Sequence, residues 1–124
     1  MRQITVLCIE DEPDMIDLVK LALERGGFRA IGALGGREGL DVARRVRPDV
    51  VLLDLMMPDL NGWEVARRMQ ADESLENVRV VVLSALSRNS HDTRELEVVD
   101  AYVEKPFAPN HLLNEIRQTL DSAA

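Results

Sequence analysis

Five short apolar runs alternate with five stretches of helical period, and no other feature of this sequence narrows its fold as far. The runs are ITVLCI (4–9), FRAIGAL (28–34), DVVLLD (49–54), VRVVVLSA (78–85) and AYVEK (101–105). The first, third and fourth are apolar almost throughout, as strands covered on both faces are. Between them, PDMIDLVKLALERGG (13–27) has Pro13 where a first helical turn accepts proline, and Gly26-Gly27 where a helix ends. Its only polar stripe is Asp17, Lys20 and Glu24, which predicts a deeply packed helix. GREGLDVARRVR (36–47) lines up Leu40, Ala43 and Val46, and GWEVARRMQAD (62–72) lines up Val65, Ala66 and Met69. PNHLLNEIRQTL (109–120) does the same with Leu113, Ile116 and Leu120. RNSHDTRELEVV (88–99) has no large apolar residue in its first two turns, so a short or mobile helix is expected there. The pattern is (βα)5, an α/β three-layer sandwich around a five-stranded parallel sheet.

At 124 residues the chain has the size of one domain, taken as 1–124. No apolar run approaches the ~20 residues of a membrane span. MRQITVLCIEDE turns acidic without a small-residue cleavage site, so it does not read as a signal peptide. The single cysteine, Cys8, lies inside an apolar run and reads as a buried hydrophobe. One cysteine forms no internal disulfide, and a reducing cytoplasm is the expected setting. The net charge of −7, with basic residues scattered, argues against direct nucleic-acid binding.

Ligands of open parallel sheets bind beyond the carboxyl ends of the strands, at the point where the strand order reverses. The first run ends in Glu10-Asp11, the third in Asp54, the fourth in Ser84 and the fifth in Lys105, while the second ends in LGG. The order 2-1-3-4-5 is adopted from other sheets of this kind, not from these residues. It brings Glu10, Asp11 and Asp54 together, with Ser84 one strand further on and Lys105 two. Clustered carboxylates raise one another's pKa unless a cation is present, and Mg2+ suits one or two carboxylates plus phosphoryl oxygens. A nucleophilic carboxylate, a metal, a lysine and a hydroxyl suit phosphoryl transfer, with Asp54 as nucleophile.

At these residues the chain resembles the receiver domain of two-component response regulators, over essentially its whole length. The matches are CIEDEPDM (Glu10, Asp11), LLDLMMPDLNG (Asp54), VVVLSAL (Ser84) and YVEKPF (Lys105, Pro106). The resemblance implies a phosphoacceptor signalling domain that catalyses only its own phosphorylation and slow self-dephosphorylation. It implies transfer from a histidine kinase or histidine phosphotransfer protein to Asp54. It further implies Mg2+ on Glu10, Asp11, Asp54 and the backbone carbonyl of Met56, a switch through Ser84 and Tyr102, and a cis Lys105-Pro106 bond. The output partner is left open. A homodimer through the 88–99 helix, the last strand and the last helix is one arrangement such domains use. The glycine-containing turn usual before the last strand is replaced here by VVDAY.

Plainer roles stand beside these. Ser84 can cap the next helix, and Tyr102 can be edge-strand packing. His91 and His111 lack ligand-like spacing and read as solvated. Met56 and Met57 suit flexible packing, and Trp63 the start of its helix. Gly35-Gly36 is a turn and a weak phosphate-loop candidate. Rival functions fit less well. An FMN binder needs a Ser/Thr/Gly-rich phosphate loop after the first strand, where this chain has EDEPD. A dehalogenase-type phosphatase needs a second Asp two residues beyond the nucleophile, where this chain has Met56. A phosphorylation-independent receiver-like module is the remaining alternative. The chain stops at Ala124 just past the last helical stretch, as either a stand-alone receiver or part of a longer regulator.

Overall fold

Strand β1 (Thr5–Glu10) is buried at every position, because it lies inside the sheet with helices on both faces. The computed structural model describes residues 2–87, 89 and 97–122. Strands β2 (Arg29–Leu34), β3 (Val50–Asp54), β4 (Arg79–Ser84) and β5 (Ala101–Glu104) complete one sheet in the order β2-β1-β3-β4-β5. All four neighbouring pairs are parallel. Among the described residues the helices are α1 (Pro13–Arg25), α2 (Gly36–Val46), α3 (Gly62–Ala71) and α4 (Pro109–Asp121), with a 3-10 turn at Glu73–Leu75. The fold is the expected α/β sandwich. The helix expected over 88–99 and His91 fall largely outside the described residues.

Strand alternation divides the apolar runs between two cores. Val6, Cys8, Val50, Leu52, Val81 and Leu83 face α1 and α4, meeting Ile16, Val19, Leu23, Leu112 and Ile116. Leu7, Ile9, Val51, Leu53 and Val80 face α2 and α3, meeting Leu40, Ala43, Val65, Ala66 and Met69. Each fully buried Leu or Val contributes about 2 kcal/mol of transfer free energy, which is why β1 and β3 accept almost no polar residue before their ends. Burial also pushes the Cys8 thiol up to about 12, so it stays protonated. Trp63 opens α3 and packs with Leu55, Val82 and Tyr102.

Helix α1 departs from expectation. Ile16, Val19 and Leu23 are buried, but Leu18 and Leu21 are 65% and 51% exposed. A helix laid on one sheet face presents a single stripe to it, and α4 lies alongside without covering the outer leucines. The apolar surface of α1 therefore exceeds what its own fold buries.

No described helix is long and apolar enough to cross a membrane.

Candidate functional site

The strand register delivers the acidic and basic ends to one edge of the sheet. Ile9 pairs with Leu53, Asp54 with Leu83, and Ser84 with Glu104, so β1, β3, β4 and β5 finish side by side. Glu10 is the last residue of β1 and Asp54 the last of β3. They are 1% and 5% exposed. Lys105 follows β5 directly and its N–H donates to the Ser84 carbonyl at 2.7 Å. The Lys105-Pro106 bond is cis, as expected.

Lys105 Nζ lies 3.2 Å from Glu10 Oε2 and 3.7 Å from Asp54 Oδ1. Burial alone would lower the lysine's pKa. The charges of Asp54 and Glu10, with the hydrogen bond to Glu10 and the charge of Glu12, outweigh it and hold the ammonium above its ordinary value. Glu10 moves the other way from a typical ion-paired acid. Burial pushes it up first, and the neighbouring Asp54 carboxylate adds to this, so it reaches about 7 despite Lys105. Glu10 Oε1 is buried without a hydrogen-bond partner. Two facing carboxylates can hydrogen-bond only when one holds a proton, so ionising both leaves this oxygen unsatisfied.

A fourth carboxylate, Glu12, escaped the sequence reading. Oxygens of Glu10, Asp11 and Glu12 all lie within 4.8 Å of one another. Glu12 stands in the EDE run beside the two residues singled out. Its signal was its adjacency, but a strand-end residue and one two positions on normally diverge. Here the chain turns into α1 immediately, with Pro13 at the first helical position, and that turn keeps the three oxygens together. Asp54 is linked to the group through Lys105 Nζ. The residues fit a hard divalent cation: the donors are all oxygens, one is buried and orphaned, and a positive charge would relieve the pressure on Glu10.

The β3–α3 loop is folded tightly on itself. Met56 N–H donates to Asp54 Oδ1 at 3.3 Å, and Gly62 N–H to the Leu55 carbonyl at 3.0 Å. A Cβ at Gly62 would stand 2.5 Å from the Asp54 carbonyl oxygen, so only glycine permits this return. Asn61 Oδ1 accepts from Glu64 N–H and caps α3. The Met56 side chain is 62% exposed, while Met57 packs inward in the α2–α3 core.

Ser84 is fully buried, and its Oγ accepts from Leu86 N–H at 3.1 Å. The Tyr102 hydroxyl donates to the Leu86 carbonyl at 2.8 Å. Burial, set against the nearby Ser84 hydroxyl, raises the phenol's pKa. Ser84 and Tyr102, expected as a pair, thus hold the two sides of one peptide segment. Gly35-Gly36 is not an open phosphate loop. The anion on its amides is the chain's own Asp59 carboxylate, with Gly36 N–H and Arg37 N–H each 3.1 Å away. His111 is exposed on α4.

Residues 6–117 match the response regulator receiver domain family. The phosphate regulon transcriptional regulatory protein PhoB of Pseudomonas aeruginosa is 32% identical over 117 residues, covering 94% of this chain and 51% of that protein. The DNA-binding response regulator MtrA of Mycolicibacterium smegmatis is 36% identical over 121 residues, covering 97% of this chain and 51% of that protein. The chain thus spans about half the length of these curated relatives. Among solved structures, the response regulator TrrA of Thermotoga maritima, in complex with Mg2+–BeF, superimposes with a TM-score of 0.86 at 27% identity, covering 94% of this chain and 99% of that one. The carboxylates, the lysine and the hydroxyl at one sheet edge therefore sit in a known frame, and the chain belongs to the response regulator receiver domain family of two-component signalling.

Proposed function

We propose that Asp54 accepts a phosphoryl group from a phosphohistidine on a histidine kinase or phosphotransfer protein, and that the chain responds by changing the surface it offers an output partner. The observation that carries this is Lys105 Nζ, 3.2 Å from Glu10 and 3.7 Å from Asp54, beside a buried Glu10 oxygen with no partner. Asp54 Oδ1 takes both the Met56 N–H and the lysine contact, so Oδ2 is the oxygen left to attack. Attack forms the O–P bond of an acyl phosphate. The P–N bond breaks and its electron pair returns to the donor imidazole. Lys105 sits where it can neutralise charge on the phosphoryl oxygens, and the low exposure of Asp54 limits bulk water around the acceptor.

Glu10, Asp11, Asp54 and the Met56 carbonyl would hold Mg2+, and the geometry adds Glu12 to the candidates. When bound, the ion supplies charge neutralisation and orients the phosphoryl oxygens. The Mg2+–BeF complex of TrrA supports this choice of metal.

Leu18, Met15 and Ala22 of α1 share an apolar groove of about 460 Å³ with Phe107 and Pro109, and Lys105 also lines it. A phosphodonor protein that seats here reaches Asp54 past the lysine. A cytoplasmic chain acting as one domain over 1–124 is part of the same proposal.

Intact mass after incubation with acetyl phosphate and Mg2+ tests the assignment. Wild type should gain one phosphate, labile in base, and Asp54→Asn none. Equal gain in both would remove Asp54 from the role. No gain in either would favour a receiver that acts without phosphorylation.

A further inference from the structure

The β3–α3 loop carries Met56, whose carbonyl the proposed metal site requires, yet the hydrogen bonds from Gly62 to Leu55 and from Glu64 to Asn61 stay within the loop and its own helix. Met57 packs across into the α2–α3 core, and one polar side chain makes hydrogen bonds to another element. Asp59 Oδ1 accepts from Gly36 N–H and Oδ2 from Arg37 N–H, both at 3.1 Å, at the start of α2. The Arg37 N–H, and after it the Gly36 N–H, hold the Asp59 carboxyl below its ordinary range, the mark of a charge-assisted contact with a helix N-terminus.

The far end of that contact is not free either. Gly35 N–H donates to the Glu10 carbonyl at 3.0 Å. The turn at 35–37 is therefore bonded on one side to the backbone of the buried acid of β1 and on the other to the loop that follows β3. Gly35 makes the approach possible. Its φ is +89°, and a Cβ there would stand 3.1 Å from both Asp59 carboxylate oxygens. At Gly36 a Cβ would stand 3.0 Å from Leu60 Cβ and 3.1 Å from the Leu60 carbonyl, so the loop backbone also rests against this turn.

We propose that Asp59 is a positioning residue for the metal site: by gripping the 35–37 turn it fixes the β3–α3 loop, and with it the Met56 carbonyl, relative to Glu10. The proposal rests on the metal reading above and deepens it. Glu10 sits on β1 and Met56 on a loop after β3. The sheet sets the strand ends but not the loop beyond them. Without the carboxylate, the loop must be ordered when the ion binds, and affinity falls by the cost of that ordering. Losing groups that orient metal ligands lowers affinity by about ten- to a hundredfold. Linkage makes the effect reciprocal, so Mg2+ must tighten the Asp59 contact as much as that contact favours Mg2+.

The test is titration of the full chain with MgCl2, followed by backbone amide NMR, for wild type, Asp59→Ala and Asp59→Asn. In wild type the Gly36 and Arg37 amides should shift together with Met56 along one binding curve. The Mg2+ Kd should rise about tenfold in Asp59→Ala and less in Asp59→Asn, which keeps one acceptor oxygen. A Kd in Asp59→Ala within about twofold of wild type overturns the proposal even if the variant melts earlier, because a purely structural cap on α2 moves stability and not affinity. If Asp59→Ala does not fold, wild-type Gly36 and Arg37 amides that stay still while Met56 shifts overturn it equally. A wild type with no saturable Mg2+ response overturns the metal reading itself, and the proposal with it.

Discussion

The Lys105 ammonium lies 3.2 Å from Glu10 Oε2, yet Glu10 is pushed up to about 7. The lysine is shared with Asp54, and one positive charge does not compensate two buried carboxylates. Without a second cation this edge of the sheet is under electrostatic strain.

The strain predicts an inverted pH dependence. The folded pKa of Glu10, about 7, lies above its ordinary 4.5, so the folded state binds the extra proton between those values. That contribution is fully present below about pH 4.5 and is lost as pH rises through 7. Its size is on the order of 3 kcal/mol. In metal-free buffer Glu10→Gln should melt higher than wild type at pH 8 and lose most of that advantage at pH 5. Added Mg2+ should stabilise wild type more than the variant. A variant that keeps the full Mg2+-induced shift would remove Glu10 from the ligand set.

Ser84 and Tyr102 are joined through Leu86. A Ser84 hydroxyl that turns to a phosphoryl group on Asp54 releases the Leu86 N–H, and the same segment's carbonyl holds the Tyr102 hydroxyl. Trp63 packs in the same cluster as Tyr102 and reports on it. Phosphorylation should change Trp63 emission in wild type. In Ser84→Ala the change should largely vanish although mass spectrometry still finds the phosphate. Tyr102→Phe should lower stability by about 1 kcal/mol or less, since water can replace the bond it loses. An unaltered emission response in Ser84→Ala would disconnect the two residues.

Met56 and Leu86 lie two residues beyond Asp54 and Ser84, and are 62% and 40% exposed. Neither side chain can hold a water by a strong hydrogen bond. The acyl phosphate should therefore decay slowly, and the double variant Met56→Asn with Leu86→Glu should lose it at least about tenfold faster. The decay of phosphorylated protein after donor removal measures this. Equal lifetimes would place control of the attacking water elsewhere in the cleft.

Leu18 is 65% exposed and supports nothing in the core. Leu18→Asp should leave stability and phosphorylation by acetyl phosphate nearly unchanged. It should slow transfer from a phosphorylated kinase by about tenfold or more, as the loss of an apolar contact residue does at an interface. Equal slowing with both donors would mean the groove acts on the site and not on the partner.

The alternation of apolar runs and helical stretches determined the layers, because burial on both faces demands continuous apolar strands and one-sided burial demands the 3.6-residue stripe. The same local pattern put Glu10, Asp54, Ser84 and Lys105 at strand ends, where a chain leaving the core can carry polar groups. Strand order was not written in any residue: β1 pairs with both β2 and β3 through contacts far apart in sequence. Only the tertiary structure decided that α1 leaves Leu18 and Leu21 exposed, since the polar stripe of Asp17, Lys20 and Glu24 does not say how far the neighbouring helix reaches. It alone decided that Glu12 turns back toward Glu10 and Asp11. The grip of Asp59 on amides 22 and 23 residues earlier is of the same kind. Sequence periodicity reports which side of an element is wet, while a carboxylate that bonds another element's backbone depends on where the sheet has already carried both.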